Sequence, residues 1–270
     1  MGSIMTWTFI VSVTLYAVAV GSFFRQLFRG GNRPAFWAAL SLGLGAVAHA
    51  AFVVAIVIHD GPSTFEQLHA ILAAGSLLLT GIYLATMRRY RLTMLGAFIT
   101  PVTMFMLLAA GIGARAAHVT SGVRSALLPF HIIVNTLGIV AFALAFAVAI
   151  AYMIQEQRLR QRELTGIFQR LPALDTLDSL GLRLTTIGFS LSTIGVLTGS
   201  LWVVRTGPGH VQFSPGQGFA ILSWLFFATV LLFRAVAGWR GRRAAQGTVL
   251  GFLCAMAALV GYVTRGLGAS

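Results

Sequence analysis

The chain has 270 residues, 57% of them hydrophobic and 9% charged, and its mean hydropathy is +0.87. A soluble domain carries about a quarter charged residues, so the composition excludes water as the main solvent and leaves no room for a sizeable soluble domain. The formal charge of +13 rests on arginines clustered between apolar stretches, a pattern that reads as membrane topology and excludes nucleic acid as a partner.

Apolar stretches able to cross about 30 Å of hydrocarbon recur at residues 4–24, 35–58, 68–87, 93–113, 129–154, 181–203, 218–237 and 247–264. They predict an all-α integral membrane protein, a bundle of about eight transmembrane helices in a single domain over residues 1–270. No positive charge precedes the first stretch, while Arg25, Arg29 and Arg33 follow it. It is therefore expected to be a retained helix with its N-terminus outside, not a signal peptide.

Further along, Arg88, Arg89 and Arg91, then Arg158, Arg160, Arg162 and Arg170, then Arg240, Arg242 and Arg243 fall on that same face. The positive-inside rule makes it cytoplasmic. The crossings then return the C-terminus to the outside, in a multi-pass arrangement expected for a bacterial inner membrane. Trp7 and Trp202 near outer ends, and Trp37 and Trp239 near inner ends, fit an interfacial belt in the lipid bilayer.

Between the fifth and sixth spans, QEQRLRQRELTGIFQRL is expected to carry the fifth helix onward as an amphipathic stretch until Pro172 ends or bends it. The outer connection RTGPGHVQFSPGQG, Arg205 to Gly218, predicts an irregular loop. Cys254 is the only cysteine, which excludes a disulfide or thiol pair within the chain. No carboxylate falls inside a span, which argues against an ion-coupled transporter. Metalloprotease, phosphate-loop and serine-elbow motifs are absent, and the chain reads as not an enzyme in its own right.

All six histidines, His49, His59, His69, His118, His131 and His210, map to the outer half of this topology. His49 is the one well inside a span, and Leu42, Gly45, His49 and Phe52 share its helical face. An interhelical hydrogen bond and ligation of haem or metal are both open to it. His131, Asn135, Gly138 and Phe142 form a stripe on the fifth helix, where glycine would admit a planar macrocycle and the imidazole would offer iron a nitrogen. The alternative is a helix-start histidine facing headgroups. His69 follows Glu66, a carboxylate open to two readings, orienting the ring or being solvated with it.

The segment LPALDTLDSLGLRLTTIGFSLSTIGVLTGSLWV, Leu171 to Val203, resembles the signature of the CcsA/CcmC-type cytochrome c assembly proteins, particularly the smaller HemX-like branch. The likeness is strongest over residues 127–264, from the helix that bears His131 to SWLFFATVLLFRAVAGWRGRRAA. Within the signature, Gly195 and Gly199 form a GxxxG pair for close helix packing. Asp178 and Arg183 mark the cytoplasmic end and are expected to pair with each other or with headgroups.

The resemblance implies handling of non-covalent haem b, by binding, export or outer-face presentation, in cytochrome c-type biogenesis. It implies paired histidines on the iron, with His131 and His49 as the axial ligands; together with the residues singled out above, the expected cofactor-binding set is His131, His49, His69, His210, Asn135 and Trp202. The implied partners are other cytochrome c assembly proteins and either apocytochrome c or a tetrapyrrole-synthesis enzyme. Two departures stand out: the loop after the sixth span lacks the tryptophan-rich WWD core, and YVTRGLGAS after the last span holds no second outer histidine. His210 is then the expected substitute ligand. Three other readings remain: a HemX-like regulator of tetrapyrrole synthesis acting through a cytoplasmic partner, a bis-histidine membrane cytochrome that passes electrons, and a structural subunit in which every histidine is satisfied by its neighbours.

Overall fold

The computed structural model describes residues 2–29, 32–61, 64, 67–89, 95–113, 127–162, 172–206 and 215–268. Among these residues the chain forms eight helices: α1 Ser3–Arg29, α2 Asn32–Asp60, α3 Leu68–Arg89, α4 Gly96–Gly113, α5 Leu127–Arg160, α6 Leu174–Thr206, α7 Pro215–Val236 and α8 Arg242–Gly268. Helices are the only open structure that satisfies every backbone polar group inside lipid, and the described part of each expected span falls on one of them to within one residue, residues 93 and 94 of the fourth lying outside the described residues. Seven meet the length and apolarity of a membrane crossing; Gly96–Ile112 in α4 is apolar but shorter.

Consecutive helices pair, α1 with α2, α3 with α4, α5 with α6 and α7 with α8. Contacts of α3 with α5, and of α4 with α5 and α8, join the two four-helix halves. Burial follows from this plan, since 56% of the membrane window of α3 and of α5 is buried but only 17% of that of α6 and of α7. The former pair is the core of the bundle and the latter lies against lipid.

Lipid tails are as apolar as leucine, so close packing takes the place that hydrophobic burial holds in water. Small residues make it possible here. A Cβ at Gly45 would lie 2.6 Å from the ring of Tyr16, and one at Gly188 would lie 2.6 Å from Phe142. Phe142 in turn stacks on Phe227 of α7, with ring centroids 3.6 Å apart and planes 3° from parallel. Trp7 and Trp37 are exposed, in keeping with the predicted belt.

The largest departure from the expected boundaries is α6, which begins at Leu174 instead of residue 181. Asp175 and Asp178 make this turn too polar to read as a span, yet it is helical because Leu177 is buried and Asp178 is paired. The partner of Asp178 is Arg234 of α7, 2.7 Å away, and not Arg183, which is exposed. The other carboxylate oxygen accepts the backbone N–H of Gly241 at 3.0 Å. Gly241 has a φ of +65°, and its missing side chain leaves room for the Tyr152 hydroxyl. One carboxylate thus ties α6 to α7 and to the turn that starts α8.

At the arginine-bearing end, α5 continues past the expected span to Arg160 but stops well before Pro172, since the chain turns at Gln161 and Arg162, the latter with a φ of +57°; residues 163–171 of the expected amphipathic stretch lie outside the described residues. Glu156 accepts a hydrogen bond from Arg160 at 2.8 Å and faces Arg242 of α8 at 3.9 Å. The Gln155 amide reaches the carbonyl of Pro172 at 3.0 Å, fastening the chain just before α6 to α5.

Candidate functional site

His131 sits on the first turns of α5, its ring half-buried against α6. Nδ1 is 2.8 Å from the carbonyl oxygen of Gly195 and 3.3 Å from Thr198 Oγ1. One turn on, the Asn135 amide donates to the His131 carbonyl at 2.8 Å and lies 3.3 Å from each ring nitrogen. A donor equidistant from the two nitrogens is aligned with neither lone pair. A Cβ at Gly199 would come within 2.7 Å of the His131 ring, and one at Gly195 would run into the Asn135 amide. The GxxxG pair is therefore a notch that receives these two side chains.

The stripe expected to carry a macrocycle is thus covered by a helix. A Cβ at Gly138 would stand 3.4 Å from the Gly188 carbonyl oxygen, ordinary backbone-to-backbone packing, and Phe142 covers Gly188. In this arrangement Gly138 admits α6, not a flat ligand.

His49 is fully buried in α2 and both of its nitrogens are engaged. The Tyr16 hydroxyl of α1 is 3.0 Å from Nδ1, and Ser76 Oγ of α3 is 3.4 Å from Nε2. Ser76 gives its own proton to the Ala73 carbonyl at 2.9 Å, so its oxygen receives N–H from Nε2 and the Tyr16 hydroxyl donates to Nδ1. Three helices meet on this one ring. A role of His49 as an axial ligand would require it to give up one of these bonds; the contacts fit the alternative of an interhelical hydrogen bond, and Tyr16 of α1 fills the space beside Gly45.

His69 is buried in the first turn of α3. Its Nε2 lies 3.5 Å from Asp60 Oδ2, while Asp60 Oδ1 takes Nδ1 of the exposed His59 at 2.8 Å. The carboxylate facing His69 is thus Asp60, and Glu66 lies outside the described residues. Nδ1 of His69 is buried with no hydrogen-bond partner among the described residues. Gly75 of α3 packs on Thr136 of α5. Counted from that contact toward the same end, His69 and His131 stand at a similar height, about 8 Å up.

An apolar groove of about 230 Å³ lies between α2, α3 and α5, walled by Val53, Val57, Gly75, Leu78, Ile133 and Thr136 among others. Neither His49 nor His131 lines it, and Ile133, Thr136 and Leu137 lie across α5 from the His131 stripe. The structure therefore brings His131 and Asn135 together with α6, brings His59, Asp60 and His69 together, and keeps His49 in a separate network. His118, His210 and the side chain of Trp202 lie outside the described residues. Tyr16, Ser76, Asp60 and Thr198 were missed by the sequence reading.

The fold and these contacts define a polytopic helical membrane protein with imidazoles set at one end of its bundle. The profile of the family described as cytochrome C assembly protein matches residues 37–267, and the chain belongs to that family. Curated relatives are cytochrome c biogenesis proteins CcsA. That of Gloeothece citriformis is 32% identical over 90 residues, 32% of this chain and 27% of the relative. That of Trichormus variabilis is 34% identical over 90 residues, 32% of this chain and 26% of the relative. That of Cyanophora paradoxa is 32% identical over 92 residues, 34% of this chain and 29% of the relative. The matched segment thus spans under a third of each relative. Among solved structures, the cytochrome c haem lyase CcmF superposes with a TM-score of 0.64 at 14% identity, over 98% of this chain and 50% of that one. At that identity the likeness is one of fold.

Proposed function

We propose that this protein handles haem in cytochrome c biogenesis, holding it non-covalently at the histidine-bearing end of the bundle for passage or presentation to other assembly proteins and to apocytochrome c. The histidine-bearing end then faces away from the cytoplasm of a bacterial inner membrane, and the arginine-bearing end faces in. The role is one of binding and delivery.

The observation that carries this reading is the state of His131. It lies in the part of the chain that matches the family, its ring is half-buried, and the donor beside Nε2 among the described residues, the Asn135 amide at 3.3 Å, stands equally close to Nδ1 and so is not aligned with the Nε2 lone pair. A neutral imidazole with one nitrogen hydrogen-bonded and the other open is what an axial position on iron requires. His69, with its unpartnered Nδ1 at a similar height, is the second imidazole of this reading. His49 is its structural pin.

Purification in mild detergent, followed by absorption spectra of the oxidised and reduced protein, tests the reading. A Soret band that shifts on reduction is expected. Protein that is folded and carries no haem, even after haem is supplied, would contradict it.

A further inference from the structure

We infer that Gly195 and Thr198 of α6 lock His131 in the tautomer with the proton on Nδ1, so that Nε2 is the atom offered to iron. This rests on the haem-handling reading and names the residues that position its ligand.

A carbonyl oxygen can only accept. With Gly195 O at 2.8 Å, Nδ1 must carry the hydrogen. Thr198 stands 3.3 Å from the same nitrogen and sends its own hydroxyl proton to the Ile194 carbonyl at 2.9 Å or the Gly195 carbonyl at 3.0 Å. Its lone pairs are therefore left to face Nδ1, as a second acceptor. The Gly195 carbonyl and the Thr198 oxygen both ask for the same proton and neither can supply one, while the Asn135 amide, 3.3 Å from each ring nitrogen, is aligned with neither lone pair. The lone pair of the ring is thereby assigned to Nε2.

The lock depends on glycine at two places. The ring reaches the α6 backbone only because Gly199 has no Cβ, and the Asn135 amide fits beside it only because Gly195 has none. The carbonyl at position 195 is one that helix geometry would normally give to the N–H of residue 199; it also serves the imidazole, since a carbonyl oxygen has two lone pairs. A carbonyl on the far nitrogen of a ligating histidine fixes the ring's orientation and raises its basicity. The more basic ligand favours ferric over ferrous iron, so Thr198 and Gly195 act as positioning residues that hold down the midpoint potential of bound haem.

Histidine-selective ¹⁵N NMR of the haem-free protein in detergent tests the lock directly, with the His131 signals identified by their loss in His131→Gln. Protonated Nδ1 with unprotonated Nε2 is the expected pattern; protonated Nε2, or rapid averaging of the two forms, would overturn the lock. In haem-loaded protein, Thr198→Val, which keeps volume and removes the acceptor, is expected to weaken haem binding on the order of 10-fold and raise the midpoint potential. An unchanged potential would overturn the tuning role. The Nδ1–H pattern in protein that takes up no haem would uphold the lock and remove the haem reading, so the two fail separately.

Discussion

Replacing Asp178 by alanine is expected to lower the stability of the bundle by about 3–5 kcal/mol, the cost of stranding one member of a buried ion pair. The side chains of Arg234 and Asp178 are 10% and 16% exposed, so water has little access to an uncompensated guanidinium there. The loss has a second part, because the N–H of Gly241 gives up its acceptor at the turn between α7 and α8. Since α6 and α7 otherwise meet through few side chains, chiefly Trp224 on Thr193 and Phe189, the effect should fall on the docking of α6. Thermal unfolding in detergent measures it. The double variant Asp178→Ala/Arg234→Leu should recover part of the loss, because it removes the stranded charge; a double variant no more stable than Asp178→Ala would contradict the ion-pair account.

His49→Ala is expected to cost about 2–4 kcal/mol, combining the cavity left by a fully buried ring with the loss of its two hydrogen bonds. The Tyr16 hydroxyl retains Thr80 Oγ1 at 3.3 Å, which limits the penalty on α1. His49→Gln separates this role from ligation, since an amide oxygen can accept from Tyr16 while its NH₂ donates to Ser76. The glutamine variant should unfold close to the wild-type temperature. A glutamine variant as unstable as the alanine one would show that the hydrogen bonds are not what the ring supplies.

The spans were legible because a period of apolar residues and the arginine clusters report on lipid and interface directly, whatever the helices touch. What each helix touches is a different kind of information. Asp178 and Arg234 are separated by 56 residues, and nothing local distinguishes Arg234 from Arg183 as a partner. Tyr16 is 33 residues from His49, though Gly45 one turn below His49 was a signal that something bulky from another helix fits there. The GxxxG pair of Gly195 and Gly199 is legible as a place of close helix packing, and α5 packs there. The occupant beside Gly138 is not legible, because sequence spacing gives the size of a notch and not whether a macrocycle or a neighbouring helix fills it. Thr198 escaped notice for the same reason: its importance lies in the carbonyl beside it, and a backbone acceptor leaves no trace in residue identity.

The most direct test of the claim that His131, and not His49, faces the iron is the haem absorbance per mole of purified, folded His131→Ala and His49→Gln. A Soret band reduced to background is expected in the first and one kept near wild-type intensity in the second. A band that survives in His131→Ala and disappears in His49→Gln would contradict the claim.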